Sequence, residues 1–344
     1  MAEALGVDAG KNTPMAGVTR ARTMPISPSP FRVEARPLPR AKFADPHVTA
    51  AGEPRATVPL TALETLWFNT GTLCNLACVT CYIESSPTND ALIYLTAGEV
   101  VRFLDEISEG NFATGEIGFT GGEPFMNREI MAMLGMALDR RHDVLVLTNA
   151  MKPMRRHEAA LLALRGTYGA RLMLRVSLDH YSPAVHEAER GARSWAPALD
   201  GLKWLSTNDF SIAVAGRHLA EESDADARTG YAELFADHGI AIDAHDPARL
   251  VLFPEMDATA DVPEITTACW GILGKSPAEV MCATSRMVVH RRGEGHARVV
   301  ACTLIPSDPG FDLGAKLADA TGSVALNHPH CARFCVLGGA SCSG

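Results

Sequence analysis

From Leu66 onward, apolar runs of four to seven residues alternate with segments of helical period, and this rhythm limits the fold more than any other feature. Parallel strands cannot be joined by tight turns, so such alternation reads as βα units on a parallel sheet. Six strands are expected, at Leu66–Thr70, Glu116–Thr120, Val144–Thr148, Leu172–Leu178, Ile212–Gly216 and Leu250–Phe253. Two helices between them are clear. Thr96 and Glu99 form a capping box ahead of Val100, Phe103, Leu104 and Ile107 on one face, and Gly110 ends that helix. A second runs from about Asn127, with Ile130, Leu134, Ala137 and Leu138 on one face and Arg140 and Arg141 at its C-terminal end. Further helices fit at Glu158–Arg165, Ala196–Ser206 and Ala227–His238.

Outside this region the pattern changes. Residues 1–58 carry Pro25, Pro28, Pro30, Pro37, Pro39, Pro46 and Pro54 and hold no period for long. We expect an extended, partly disordered leader with one short strand candidate at Phe31–Ala35. The βα core is expected over residues 59–258, and residues 259–344 are expected to form a small cysteine-rich module with a metal cluster in place of a side-chain core.

Of the 344 residues, 47% are hydrophobic and 21% charged, enough to bury a core. The formal charge of −9 and the lack of a basic run argue against nucleic-acid backbone binding. No apolar run is long enough to span a bilayer, and Met1-Ala2-Glu3-Ala4 does not open a basic n-region followed by an apolar h-region, so we expect a cytoplasmic protein without a membrane partner. Nine cysteines in a reducing compartment favour metal binding or catalysis over disulfides.

Cys74, Cys78 and Cys81 follow the first expected strand at spacings of four and three. A structural zinc or electron-transfer cubane would call for a fourth neighbouring ligand, and none is adjacent. Three thiolates on a cubane leave one iron open to another ligand. With Tyr82 directly after the last thiol, this Cys-x3-Cys-x2-Cys motif resembles the signature of the radical S-adenosylmethionine (SAM) enzymes. Gly121-Gly122-Glu123-Pro124, after the second strand, resembles the GGEP element of that family, whose backbone and Glu contact the SAM amino group. Thr148 and Asn149 end the third strand, and Ser177 and Asp179 the fourth, where the resemblance implies ribose contacts. Arg217, at the end of the fifth, would stand near the SAM carboxylate. Cap or turn roles fit Asn149, Ser177 and Asp179 equally well.

The resemblance implies an α/β fold built as a partial (β/α)6 TIM-like barrel. It also implies a 4Fe–4S cluster on Cys74, Cys78 and Cys81, with SAM as cosubstrate. Its chemistry is reductive cleavage of SAM to a 5′-deoxyadenosyl radical that abstracts hydrogen from a substrate. A one-electron reductant such as flavodoxin or ferredoxin is the implied partner.

In the tail, Cys282–Val289 and Val299–Cys302 read as a hairpin across a polar turn, bringing Cys282 and Cys302 together. Cys331 and Cys335 supply a second pair. The arrangement resembles the Twitch or SPASM extensions of radical SAM enzymes and implies one auxiliary 4Fe–4S cluster on these four thiols. Cys342 is an alternative to one of the last pair, and zinc is an alternative to the cluster. Cys269 beside Trp270 reads as a buried thiol or a further ligand. His180, Tyr181, Arg190 and Trp195 are expected in a loop at the barrel mouth as candidate substrate contacts, and Phe253–Asp257 is a second such segment. Peptide maturation and small-molecule oxidation stand level as the reaction. The competing classes are a non-catalytic iron–sulfur electron carrier or scaffold, and a zinc hydrolase; the latter lacks a His-rich ligand set.

Overall fold

The computed structural model describes residues 37–219, 222–254 and 257–339. Phe31–Ala35, Glu255, Met256 and Cys342 lie outside them. Where side chains are β-branched or aliphatic on successive residues the chain is extended and buried on both faces, as parallel strands under helices must be. After a short strand β1 (Thr57–Val58), these are β2 (Thr65–Asn69), β3 (Glu116–Thr120), β4 (Asp143–Thr148), β5 (Leu172–Ser177), β6 (Ser211–His218) and β7 (Leu250–Pro254). They lie in chain order and are parallel throughout.

The connecting helices are α1 (Ala97–Glu109), α2 (Ile130–Asp139), α3 (Lys152–Arg155), α4 (Glu158–Tyr168), α5 (Pro183–Arg190), α6 (Trp195–Thr207) and α7 (Asp224–His238). The Thr96–Glu99 capping box is made in both directions, and Gly110 closes α1. Helix α2 starts at Ile130, three residues later than its period suggested. Asn127 ends a preceding 3-10 turn and donates to the Leu95 carbonyl at 2.8 Å. Helix α5 falls where a loop was expected; it has eight residues and buries only His186, so it leaves almost no apolar stripe to read.

The tail adds α8 (Cys269–Leu273), β8 (Ser285–Val289), β9 (Arg298–Val300), β10 (Asp312–Gly314) and β11 (Val324–Ala325). The expected hairpin is β8–β9. Strand β8 also pairs in parallel with β2, so the sheet has nine strands, ordered β10-β9-β8-β2-β3-β4-β5-β6-β7. The partial barrel therefore has seven parallel strands, and the tail extends its sheet. At the far edge, Phe253 of β7 stacks on Phe334 of a π-helical turn, Cys331–Leu337, with centroids 5.4 Å apart.

Residues 37–58, assigned to the extended leader from composition, are held against the tail. Strand β1 pairs with β11, and Pro37 and Arg55 bridge to Ala260 and Thr266. The buried Arg55 guanidinium meets Glu264 at 2.6 Å. Burial raises the Glu264 pKa, but amide donors at Phe43 and Ala50 together with Arg55 bring it below the ordinary value. Pro-rich sequence looked unstructured because its order comes from these long-range contacts, not from local period. Trp67 of β2 sits inside the barrel with Leu145, Met287 and Phe334, while Leu66 and Phe68 face the helices.

Candidate active site

The ends of β2 to β6 converge on one cavity. It has a volume of about 120 Å3 and its walls include Cys74, Cys78, Cys81, Tyr82, Gly121, Gly122, Thr148, Asn149, Ser177, Arg190 and Arg217. The cysteine loop is fixed from several sides. Cys74 N donates to Ser86 O at 3.0 Å, Val79 N to Glu189 O at 2.9 Å, and Thr80 Oγ1 to Glu189 Oε2 at 2.6 Å. Arg217 reaches back from β6 to donate to Thr80 O at 3.0 Å. Backbone amides point at sulfur: Leu76 N lies 3.4 Å from Cys74 Sγ and Ser85 N lies 3.3 Å from Cys81 Sγ. Burial pushes the Cys74 thiol up to about 12 and raises Cys78 as well, so these groups are neutral until a metal displaces their protons.

Gly121 and Gly122 make room for that loop. Gly121 has φ +137°, and a Cβ on Gly122 would lie 2.2 Å from Leu73 O. Their close approach serves the chain 71–73, and Gly122 N donates to Gly71 O at 2.8 Å. Glu123 and Pro124 stand behind the wall. Glu123 is buried, and its carboxylate accepts from Thr148 Oγ1 and Asn149 N, both at 2.9 Å, and from Phe125 N at 3.2 Å. Burial lifts its pKa to about 7 against those three donors. The side chain thus organises the end of β4, and Pro124 opens the 3-10 turn behind it.

Asp179 also lies behind the cavity, where Arg190 clamps it with Nε and Nη2 each 2.9 Å from a carboxylate oxygen. Arg217 Nε stands 3.6 Å away. Burial raises the Asp179 pKa, but the two guanidinium groups bring it below the usual range. Arg190, expected only in a substrate loop, is therefore part of the cavity wall. Its position at the end of the unforeseen helix α5 hid that role.

A second cleft, of about 110 Å3, shares Tyr82, Leu147, Ser177, Arg190 and Arg217 with the first and runs on to Phe253, Pro254, Leu304 and Phe334. Leu304 in turn walls a narrow pocket, about 10 Å3, whose lining includes Cys282, Cys302, His330, Cys331 and Cys335. The two cysteine pairs expected to meet do so. Burial raises Cys282 to about 11 and Cys331 to about 12. His330 was not foreseen; it is buried, and its Nδ1 has no hydrogen-bond partner among the described residues. Cys269 packs at the edge of the same tail core, its Sγ accepting from Thr266 N at 3.4 Å. His180 and Tyr181 stack on each other and meet Glu222, away from these walls. Trp195 begins α6 and packs edge-on against His186.

Residues 68–225 match the family model described as Radical SAM superfamily. A 169-residue stretch is 31% identical to the antilisterial bacteriocin subtilosin biosynthesis protein AlbA of Bacillus subtilis (strain 168), covering 49% of this chain and 35% of that protein. The chain thus spans about a third of the length of that relative. The fold is similar to Streptococcus suis SuiB bound to S-adenosylmethionine (TM-score 0.54, 12% identity, 74% of this chain and 63% of that one). It is equally similar to anSMEcpe with bound AdoMet (TM-score 0.54, 13% identity, 74% and 76%). No helix among the described residues is long and apolar enough to cross a membrane. The cysteine loop, the glycine pair and strands β3 to β6 of the partial barrel all fall within residues 68–225, the segment of this chain that matches the radical SAM superfamily.

Proposed function

We propose that this chain is a radical SAM enzyme that oxidises or cross-links a peptide, using one iron–sulfur centre in the barrel and a second in the tail. The observation that carries the reading is the continuity of the site. The cleft that shares walls with the three-thiol cavity ends at Leu304, and Leu304 also walls the four-thiol pocket. A substrate in that cleft would lie between two metal centres.

Donor chemistry fits cubanes. A single ion needs its donors inside one coordination sphere, whereas a cubane spreads thiolates over separate irons. Among the described residues no three His, Cys, Asp or Glu side chains form a single-ion group. Cys74, Cys78 and Cys81 would hold the barrel cluster, and Cys282, Cys302, Cys331 and Cys335 the tail cluster. When bound, the barrel cluster and SAM supply one-electron reductive cleavage and hence hydrogen-atom abstraction.

The protein's own contribution is placement. Asn149, Ser177 and Tyr82 line the SAM cavity, and Arg190 and Arg217 give it positive charge suited to a carboxylate. Glu123 holds Thr148 and the Asn149 amide in line, and Asp179 keeps both arginines in place. Phe253, Leu304 and Phe334 give the substrate cleft an apolar stretch beside its charged one. A flavodoxin- or ferredoxin-type protein would supply the electron.

Peptide is favoured over a small molecule by the company the fold keeps. SuiB is similar to this chain in its form bound to the precursor peptide SuiA (TM-score 0.54, 12% identity, 75% of this chain and 63% of that one). The test is anaerobic turnover with dithionite and SAM. The intact protein should form 5′-deoxyadenosine, and Cys78→Ala should form none. The Cys302→Ala variant should retain SAM cleavage while losing tail iron and completed product. Product formation by Cys78→Ala would sink the assignment, and unchanged turnover by Cys302→Ala would remove the tail from the chemistry.

A further inference from the structure

Beside the four-thiol pocket lies a charge that the proposed reaction has not used. Arg286, on β8 and four residues after Cys282, is 1% exposed. Its guanidinium donates to four backbone carbonyls: Ala320 at 2.8 Å, Cys282 at 2.6 Å, Ser285 at 2.8 Å and Gly322 at 3.1 Å. No carboxylate pairs with it among the described residues. Carbonyl dipoles satisfy its protons without cancelling its charge, and buried cations are rarely left without an anion. One of those carbonyls belongs to Cys282 itself, and the Cys282 and Cys302 thiols interact electrostatically with the guanidinium.

We propose that Arg286 is the counter-charge of the tail metal centre and sets how readily that centre accepts an electron. The inference rests on the reading of the tail thiols as ligands. A centre held by four thiolates is net anionic and gains one further negative charge when one electron enters with no proton. A fixed cation held on the backbone of a ligand residue favours the reduced form, and its low-dielectric surroundings strengthen the effect. Four carbonyl hydrogen bonds hold the guanidinium in position whether or not the electron is present. Arg286 is thus a positioning residue for charge, and it touches neither substrate nor SAM.

The full-length protein, reconstituted anaerobically with iron and sulfide, is titrated with dithionite under EPR, alongside Arg286→Gln and Arg286→Lys. Gln keeps donors for the carbonyls and removes the charge, whereas Lys keeps the charge. The Gln variant should disfavour reduction of the tail centre about tenfold, about 59 mV for a one-electron couple, with the barrel centre unmoved. Lys should restore most of that loss. Loss of tail iron in Gln but not in Lys supports the same conclusion. An unchanged tail potential in Gln overturns it, as does loss of tail iron or of the fold in both variants, which would make the guanidinium a structural fork. A redox-silent tail metal is read instead by chelator competition, where Gln should release it faster than wild type and Lys should not. Wild-type protein with no tail metal would overturn the ligand reading itself, an outcome distinct from an unmoved potential.

Discussion

Replacing Asp179 by Asn leaves the Arg190 guanidinium buried without its anion. The pair makes two 2.9 Å contacts, Asp179 is 4% exposed, and the Arg190 side chain is 14% exposed. Removing one partner of such a pair costs about 3–5 kcal/mol, because the remaining charge stays desolvated. Asn keeps one acceptor oxygen and Arg190 borders a cleft, so the lower end applies. About 3 kcal/mol is roughly two decades in the folding equilibrium. Urea denaturation of the metal-free protein should show this as a lower midpoint at unchanged slope. The Asp179→Asn/Arg190→Gln double variant should recover part of the loss, with a coupling energy of about 2 kcal/mol or more. A single-variant loss under about 1 kcal/mol, or strict additivity, would refute the argument that these residues form one charge unit behind the SAM cavity.

Two other perturbations test the local reasoning. A Gly122→Ala methyl would stand 2.2 Å from the Leu73 carbonyl, so overpacking of about 1–3 kcal/mol and preferential loss of barrel iron are expected; wild-type stability and iron content would contradict this. Burial, with Arg190 adding to it, holds the His186 pKa at about 4, below the ordinary 6.5. A histidine depressed on folding stabilises fully above 6.5 and loses that contribution as pH falls toward 4, on the order of 2–3 kcal/mol. Thermal melts of His186→Phe should show a flatter acid limb over that window, and an identical limb would remove His186 as its cause.

The strands were legible because burial on both faces forces continuous aliphatic runs such as Val144–Leu147, and α1 because its capping box and apolar stripe coincide. Helix α5 was not, since its contribution is polar: Glu189 and Arg190 bind the cysteine loop and Asp179 across long sequence separations. The same holds for residues 37–58, ordered by Arg55 and Glu264, which lie 209 residues apart. The cysteine groups could be paired from spacing because a hairpin is local. His330 and Arg286 could not be placed, since neither belongs to a motif and only the tertiary fold turns them toward the tail site. For Glu123 the motif marked the right residue, while the geometry shows its carboxylate turned to Thr148 and Asn149 instead of the cavity.

Metal content and the response to SAM distinguish a two-cluster radical SAM protein from a single closed cluster most directly. After anaerobic reconstitution, iron counting should give about eight irons per chain, two cubanes, and the EPR spectrum of the reduced protein should change when SAM is added. About four irons with a spectrum indifferent to SAM would contradict it, leaving a single closed cluster and no site at which this barrel engages SAM.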